Sequence, residues 1–304
     1  MRHLHSIADL TRDDVERILE TAGALQGVEE KLPALQGKLV VSLFFESSTR
    51  TSSSFELAAK RLSADVMSLA AAGSSVEKGE SLKDTVLTLA QYEPDAIVVR
   101  HPRIGAPQLV ARWSGASVVN AGDGKHQHPT QALLDLFTIR EALGRLDGIH
   151  VAIVGDVLHS RVARSLIQAL ALVGARTVLV GPPTLIPHGI EAMGCSTETE
   201  IGAIADADVV YVLRMQRERM ESAFVPSLRE YAARWGVTPE RVRPGQKVMH
   251  PGPVNRGLEI DGRVVDSADS LILAQVAAGL TVRMAVLHDL LATGVPAHER
   301  AAVA

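Results

Sequence analysis

The chain has 304 residues, of which 46% are hydrophobic and 22% charged, and its formal net charge is −4 at pH 7. This length and apolar content suit two compact α/β domains and argue against a disordered or fibrous protein. A net acidic chain with two Trp and three Tyr has no footprint for nucleic acid. Its single cysteine, Cys195, excludes an internal disulfide framework and any metal site built from several thiolates.

The sequence also argues against a membrane protein. Its two longest apolar stretches, 162–180 and 271–291, contain charged or polar residues, so neither would cross a bilayer cheaply. The N-terminus, which begins Met1-Arg2-His3, has no apolar run of signal-peptide length. We therefore expect a cytoplasmic protein without membrane contacts.

Short β-rich runs alternate with helical spacing in the first half of the chain. A strand is predicted at 38–45, followed by a Ser/Thr cluster and a helix at 53–62. The pattern continues with a strand at 66–69, a helix at 81–92 and a strand at 96–100. Such alternation is typical of a parallel sheet flanked by helices.

A similar series follows in the second half. Pro129 is predicted as the first residue of a connecting helix that ends at Gly144. Further predicted elements are strands at 150–155, 177–180 and 209–213 and helices at 160–173 and 271–291. The sequence therefore predicts an α/β fold with two domains, each a mostly parallel sheet flanked by helices, joined by interdomain helices.

The segment Ser48-Thr49-Arg50-Thr51 lies between the carboxyl end of a predicted strand and the following helix. At such a position, unpaired backbone N–H groups and the helix dipole favour an anion. An ordinary helix cap would account for one Ser or Thr, but not for Arg50 and the additional hydroxyls. The segment is therefore a candidate anion-binding loop.

The same segment carries a resemblance to a known family. The run Phe44-Phe45-Glu46-Ser47-Ser48-Thr49-Arg50-Thr51, followed by Ser54-Phe55-Glu56, resembles the phosphate loop of aspartate and ornithine carbamoyltransferases. Six further segments match in order: Lys78-Gly79-Glu80, Arg100-His101-Pro102, His128-Pro129-Thr130-Gln131, Gly155-Asp156 with His159-Ser160-Arg161, Arg214-Met215-Gln216, and His250-Pro251-Gly252-Pro253. The resemblance extends almost from end to end, and it implies the carbamoyltransferase fold.

The resemblance implies a carbamoyl phosphate site. Its phosphate ligands would be Ser48, Thr49, Arg50 and Thr51, its carbamoyl neighbours Arg100, His128 and Gln131, and its remaining contacts Gly252 and Pro253. The implied catalytic residues are Arg50, Thr51, Arg100 and His128. Arg100 ends a predicted strand, where site residues of doubly wound folds commonly lie, and His128 precedes a helix.

The resemblance also implies that Lys78, Arg161, Arg214 and Gln216 bind the carboxylates of L-aspartate, for which guanidinium groups are well suited. With Arg50 and Arg100, the implied site has five cations. These would balance about four negative charges on the two substrates. No metal or organic cofactor is implied.

The implied carbamoyl phosphate domain is 1–136, with a C-terminal helix at about 284–304 packing back, and the implied L-aspartate domain is 137–283. Glu46 and Arg219 match positions that bridge the domains, so we predict that Glu46 pairs with Arg161 and Arg219 when they close. Ser75 and Lys78 match residues that serve a neighbouring subunit. The resemblance therefore implies a homotrimer with shared active sites, and leaves open a larger assembly with regulatory chains or dihydroorotase.

One position departs from the family pattern. Ser52 stands where family members usually place a basic residue, which puts a supporting contact near the helix start in doubt. Transfer to ornithine is the nearest alternative reaction, but ornithine enzymes typically carry a His-Cys-Leu-Pro motif where this chain has His250-Pro251-Gly252-Pro253. The missing Cys and the cation Arg214 favour aspartate, and thus the committed step of pyrimidine biosynthesis.

Three other functions remain as alternatives. Asp123, His126 and His128 lie close together in the sequence, but their spacing provides no complete ligand set for a metal-dependent hydrolase. A non-catalytic anion-binding subunit could keep the family fold. The third alternative is nucleotide binding by segment 155–161. This segment lies in a strand–loop–helix context but lacks the repeated glycines of a dinucleotide-binding loop.

Overall fold

The structure is a computed structural model, and it describes residues 1–70, 79–216 and 224–292. The chain divides into two compact units, Met1–Leu133 with the chain from Ala278 onward, and Leu134–Ala277. Both boundaries between the units lie inside helices. The domain boundaries predicted from the sequence, at 136 and 283, lie inside the same two helices. Each unit contains one parallel sheet, so the predicted α/β class is confirmed.

The first unit is built on a four-stranded parallel sheet with the order β2-β1-β3-β4. Its strands are β1 (Leu39–Phe44), β2 (Asp65–Ala70), β3 (Ala96–His101) and β4 (Ser117–Asp123). Its helices are α1 (Arg12–Leu25), α2 (Thr49–Arg61), α3 (Leu82–Ala90), α4 (Ala106–Ser114) and the start of α5 (Pro129–Leu143). Val41 and Leu43, which alternate along β1, pack with Val86 of α3 and Val110 of α4 in one apolar core.

The second unit contains a five-stranded parallel sheet with the order β7-β6-β5-β8-β9. Its strands are β5 (His150–Val154), β6 (Arg176–Val180), β7 (Ser196–Glu198), β8 (Val209–Val212) and β9 (Lys247–Met249). Its helices are α6 (Arg161–Leu172), α7 (Leu228–Trp235), α8 (Gly262–Val265) and the start of α9 (Ile272–Leu291). Ala152, Val154, Val210 and Val212 of the central strands form the core.

Each sheet has a topological switch point, where consecutive connections leave in opposite directions. In the first sheet it lies between the neighbouring strands β1 and β3, and in the second between β5 and β8. Ligands of open α/β sheets bind outside the carboxyl ends of the strands at such points. We therefore expect a ligand-binding site in the segments that follow these four strands.

Helix α9 is the one helix among the described residues that is long and apolar enough to cross a membrane. Its residues Val282 and Met284 to Leu287 are buried, and Asp289 forms an ion pair with Arg17 of α1 at 2.7 Å. The Asp289 carboxylate also lies 3.4 Å from the amino group of Met1. These contacts are those of a core helix in a globular unit.

The structure corrects some of the predicted elements. The predicted start of a helix at Ser53 is wrong, because α2 begins at Thr49, and the Ser52 N–H donates to the Ser48 carbonyl at 3.0 Å. Strand β4 was not predicted, although all its residues are buried, because Asn120 and Gly122 interrupt its apolar pattern. Pro129 is confirmed as the first residue of α5.

Candidate active site

The Arg100 side chain joins the ends of β1 and β3 at the switch point of the first sheet. Its Nε atom donates to Glu46 Oε2 at 3.2 Å, and its Nη1 atom donates to Ser48 Oγ at 3.1 Å. The Arg100 carbonyl accepts a hydrogen bond from the Phe45 N–H at 2.8 Å. The structure thus brings Arg100 together with the segment that the sequence predicted to bind phosphate.

The first turn of α2 presents cationic and polar groups at a helix N-terminus. Ser48 is the N-cap residue; its side chain makes no capping hydrogen bond, and its hydroxyl accepts from Arg100. Thr49 and Arg50 are exposed, whereas Thr51 is buried. A helix start with an exposed guanidinium beside it attracts an anion through its N–H groups and its dipole.

The turn between β4 and α5 positions His128 and Gln131. His128 is 4% exposed, and its carbonyl accepts from the Gln131 N–H at 3.0 Å, as at the start of a helix. Gln131 lies on the first turn of α5, which begins at Pro129. The helix start therefore holds both residues, as the sequence predicted.

A buried carboxylate, Asp123, organises this turn. It accepts hydrogen bonds from the backbone N–H groups of Gly105 and Gln127, each at 3.0 Å, and from Asn120 Nδ2 at 2.9 Å. The interpretation of the sequence named Asp123 only as a candidate metal ligand and did not include Asn120. An Asn and an Asp three residues apart before a Gly are typical of a turn in which side chains bind the backbone.

The same contacts bear on the metal-dependent alternative. Asp123 Oδ2 lies 3.0 Å from His126 Nδ1, while both carboxylate oxygens also accept from N–H donors of the protein. No group of three or more His, Cys, Asp or Glu side chains within residues 1–70, 79–216 and 224–292 is placed to hold a metal ion. The Asp123 oxygens are instead bound by donors of the protein itself.

The switch point of the second sheet holds three of the four residues predicted to bind aspartate. Arg161 is the first residue of α6, after β5, and Arg214 and Gln216 follow β8. Gln216 N–H donates to Asp156 Oδ2 at 3.1 Å, and Asp156 Oδ1 lies 2.8 Å from His159 Nδ1. The buried Asp156 carboxylate therefore connects the two loops that follow the neighbouring strands β5 and β8.

The close packing beneath this loop requires a glycine. Gly155 has φ +118°, and a Cβ atom there would lie 2.8 Å from the Tyr231 hydroxyl oxygen. Burial, with smaller contributions from Glu259 and Asp156, raises the pKa of Tyr231, which keeps the phenol neutral. A larger residue at position 155 would displace the Asp156 loop.

The two domains of one family match the chain in order. The carbamoyl-P binding domain of the aspartate/ornithine carbamoyltransferases matches residues 2–141, and their Asp/Orn binding domain matches residues 147–290. The chain belongs to the aspartate/ornithine carbamoyltransferase family. The resemblance drawn from seven short motifs is thereby confirmed over nearly the whole length.

Curated relatives of this carbamoyltransferase include two aspartate carbamoyltransferase catalytic subunits. That of Acidothermus cellulolyticus is 55% identical, over 98% of this chain and 94% of the relative. That of Frankia casuarinae is 56% identical, over 95% of this chain and 94% of the relative. These similarities cover both sheets and both switch points.

Solved structures of the family share the fold. Aspartate transcarbamoylase from Trypanosoma cruzi in complex with N-(phosphonacetyl)-L-aspartic acid superposes with a TM-score of 0.87 at 33% identity, covering 95% of this chain and 96% of that one. The catalytic subunit of M. jannaschii aspartate transcarbamoylase gives a TM-score of 0.84 at 38% identity, over 95% and 98% of the chains. The carbamoyltransferase fold is therefore confirmed.

The carbamoyltransferase chain uses Ser52, its departure from the family pattern, locally. The Ser52 hydroxyl donates to the Ser48 carbonyl at 2.7 Å, one helical turn earlier. Where relatives usually have a basic side chain, this chain thus has a hydroxyl bonded to its own helix. It adds no charge next to Arg50.

The ligand-binding roles of the predicted site residues stay predictions. Gly252 and Pro253 lie in the second unit, in the loop after β9, and their carbamoyl phosphate role stays a prediction. Ser75, Lys78 and Arg219 lie outside the described residues. The pairing of Glu46 with Arg161 and Arg219 also stays a prediction, and Glu46 contacts Arg100 in this structure.

The Asp156 carboxylate provides a first test of the second-unit cluster. Asp156→Asn replaces one acceptor oxygen with an NH₂ group, which would face either the Gln216 N–H or the His159 N–H. We expect a KM for aspartate raised about tenfold and a free energy of unfolding lowered by about 1–3 kcal/mol. Aspartate saturation and urea denaturation measure the two effects, and an unchanged KM would contradict a role in positioning Gln216.

Proposed function

We propose that the chain is the catalytic chain of an aspartate carbamoyltransferase. It transfers the carbamoyl group of carbamoyl phosphate to the α-amine of L-aspartate, giving N-carbamoyl-L-aspartate and phosphate. The observation that carries this proposal is the 55% identity, over 98% of the chain, to a relative with this name. The clusters at both switch points support it, because each sheet places cationic side chains where its ligands should bind.

In the first unit, the phosphate of carbamoyl phosphate binds at the N-terminus of α2. Ser48, Thr49 and Arg50 surround it, since helix N–H groups, hydroxyls and a guanidinium are all donors to phosphate oxygens. Arg100, held in place by Glu46 and Ser48, and His128 at the start of α5 donate to the carbamoyl oxygen. These donors would act as an oxyanion hole when negative charge develops on that oxygen.

In the second unit, Arg161, Arg214 and Gln216 bind the aspartate carboxylates. Lys78 of a neighbouring subunit adds a further cation. The deprotonated aspartate amine attacks the carbamoyl carbon and forms the new C–N bond. The bond from that carbon to the phosphate oxygen breaks, phosphate leaves with the bonding electrons, and the nitrogen passes a proton to the departing phosphate. Two anions must be brought together, so positioning by fixed cations supplies much of the rate enhancement.

Product analysis with the purified chain tests the function. Carbamoyl phosphate should be consumed with L-aspartate, and the product should be N-carbamoyl-L-aspartate, with no reaction of L-ornithine. Preferential carbamoylation of ornithine would overturn the aspartate assignment, and binding of both substrates without turnover would indicate a non-catalytic subunit. Activity that disappears after exhaustive chelation would instead support the metal-dependent alternative.

We further propose a homotrimer in which Ser75 and Lys78 serve the neighbouring subunit's site. Arg50→Ala and Lys78→Ala chains should each be inactive alone. Hybrids of the two should recover measurable activity, because some of their sites would contain both intact residues. Sedimentation gives the native mass, and verified hybrids without any recovered activity would contradict shared sites.

We also propose a pathway and a location for the reaction. The enzyme would work in the cytoplasm in pyrimidine biosynthesis, where carbamoyl-aspartate is required. The chain should restore growth without added pyrimidine to a bacterial strain that lacks its own aspartate carbamoyltransferase. Growth that still depends on pyrimidine despite soluble expression would count against this placement.

A further inference from the structure

The loop after β9 begins with a histidine that is held at three points. His250 Nδ1 accepts a hydrogen bond from the Gly252 N–H at 2.8 Å, and Nε2 lies 3.2 Å from Glu259 Oε1. The His250 N–H donates to Gln275 Oε1 at 2.9 Å. The side chains of His250 and Glu259 are fully buried, so water does not substitute for these contacts.

These contacts assign the two ring nitrogens of His250 different tasks. A backbone N–H can only donate, so Nδ1 must be the acceptor and the ring proton must be on Nε2. Nε2–H then donates to the Glu259 carboxylate. One side of the ring therefore holds the backbone of Gly252, and the other side joins the core.

The partners of His250 are themselves held in place by buried groups. Glu259 also accepts from Asn255, through the backbone N–H at 2.7 Å and through Nδ2 at 3.1 Å. Gln275 Nε2 donates to Asp135 Oδ1 at 2.7 Å, and the Tyr211 hydroxyl donates to Asp135 Oδ2 at 2.8 Å. A buried network with satisfied hydrogen bonds is rigid, so the His250 ring has one orientation.

The residue that this ring holds is conformationally permissive. Gly252 has φ +64°, a conformation that glycine enters and leaves easily. The bond to Nδ1 selects one position of the Gly252 N–H within that freedom. The next residue is Pro253, and both belong to the set that the family resemblance assigns to carbamoyl phosphate.

We propose that His250 is a positioning residue for carbamoyl phosphate, acting through its unprotonated Nδ1 atom on the backbone of Gly252. The inference rests on the proposed function and deepens it. His250 does not touch the substrate. Its ring sets the position of the Gly252–Pro253 segment and thereby the affinity for carbamoyl phosphate.

Two substitutions separate the tasks of the two nitrogens. His250→Asn places a side-chain oxygen near the position of Nδ1, so it keeps an acceptor for Gly252 but loses the donor to Glu259. His250→Gln places an NH₂ group near the position of Nε2, so it keeps the donor to Glu259 but loses the acceptor. Both are uncharged amides of similar size, which makes each the control for the other.

The two variants should show opposite effects. We expect His250→Gln to raise the KM for carbamoyl phosphate about tenfold, since the loss of one hydrogen bond has about that effect. Its melting temperature should stay near that of the wild type. His250→Asn should keep the KM within about twofold and melt several degrees lower. Tyr211→Phe, which weakens the far end of the network, should lower the melting temperature without changing the KM. A KM that follows the melting temperature across all three variants would overturn the proposal.

A measurement on the wild-type chain requires only one of the two His250 variants to fold. In a spectrum of the chain labelled with ¹⁵N-histidine, with one signal assigned through His250→Asn or His250→Gln, the His250 ring should carry its proton on Nε2. A proton on Nδ1 would overturn the proposal. If the wild-type chain showed this tautomer but no carbamoyl transfer, the proposed function would have failed and the assignment of the ring would stand.

Discussion

Arg100→Ala is expected to lower kcat/KM for carbamoyl phosphate by about 10²- to 10³-fold, as removal of an oxyanion donor typically does. The guanidinium is 15% exposed and held by Glu46 and Ser48, so it is fixed before substrate arrives. Its loss would also leave Glu46, a half-buried carboxylate, without this cation beside the phosphate. The lost donor and the exposed negative charge of Glu46 both weaken the binding of carbamoyl phosphate. Steady-state kinetics with carbamoyl phosphate varied measure the combined loss.

Arg103→Ala is the matched control for this prediction. Arg103 lies three residues further along the same segment, its side chain is exposed, and its backbone N–H donates to His101 Nδ1. The kcat/KM of the Arg103→Ala variant for carbamoyl phosphate should stay within about twofold of wild type, as expected for a surface site. Equal losses in both variants would mean that the segment, and not the Arg100 guanidinium, is responsible.

Arg214→Ala is expected to raise the KM for aspartate about 100-fold, because a charged hydrogen bond to a partly buried carboxylate is lost. Arg214 is half-buried directly after β8, next to Gln216, whose N–H is held by Asp156. The loss should fall mainly on aspartate, with a smaller change in the KM for carbamoyl phosphate. Saturation curves with each substrate in turn distinguish the two.

The control for Arg214 is Arg229→Ala, which removes an exposed cation from α7 of the same unit. The net charge changes equally in both variants, so a general electrostatic effect would appear in both. Only Arg214→Ala should raise the KM for aspartate. If aspartate at about ten times the raised KM failed to restore turnover, Arg214 would have a role in the transition state as well.

The sequence predicted the elements whose local pattern agrees with their tertiary setting. Strand β1 is a short apolar run before a Ser/Thr cluster. Helix α5 has Pro129 at its start and Gly144 after its end, so its helix-end signals agree with its hydrophobic period. Strand β4 was missed for the opposite reason. Asn120 and Asp123 look like loop residues, but they are buried because their hydrogen bonds are satisfied within the turn before His128.

The sequence by itself determined the family, the α/β class and the identity of the candidate anion-binding residues, because these depend on residue types in a fixed order. Only the tertiary structure decided which of them meet. Glu46, Ser48 and Arg100 are brought together because β1 and β3, although separated by α2, β2 and α3 in the chain, are neighbours in the sheet. The two nitrogens of His250 likewise received their tasks from Gly252 and Glu259, since the position of a ring proton depends on the atoms that surround it and not on neighbours in the sequence.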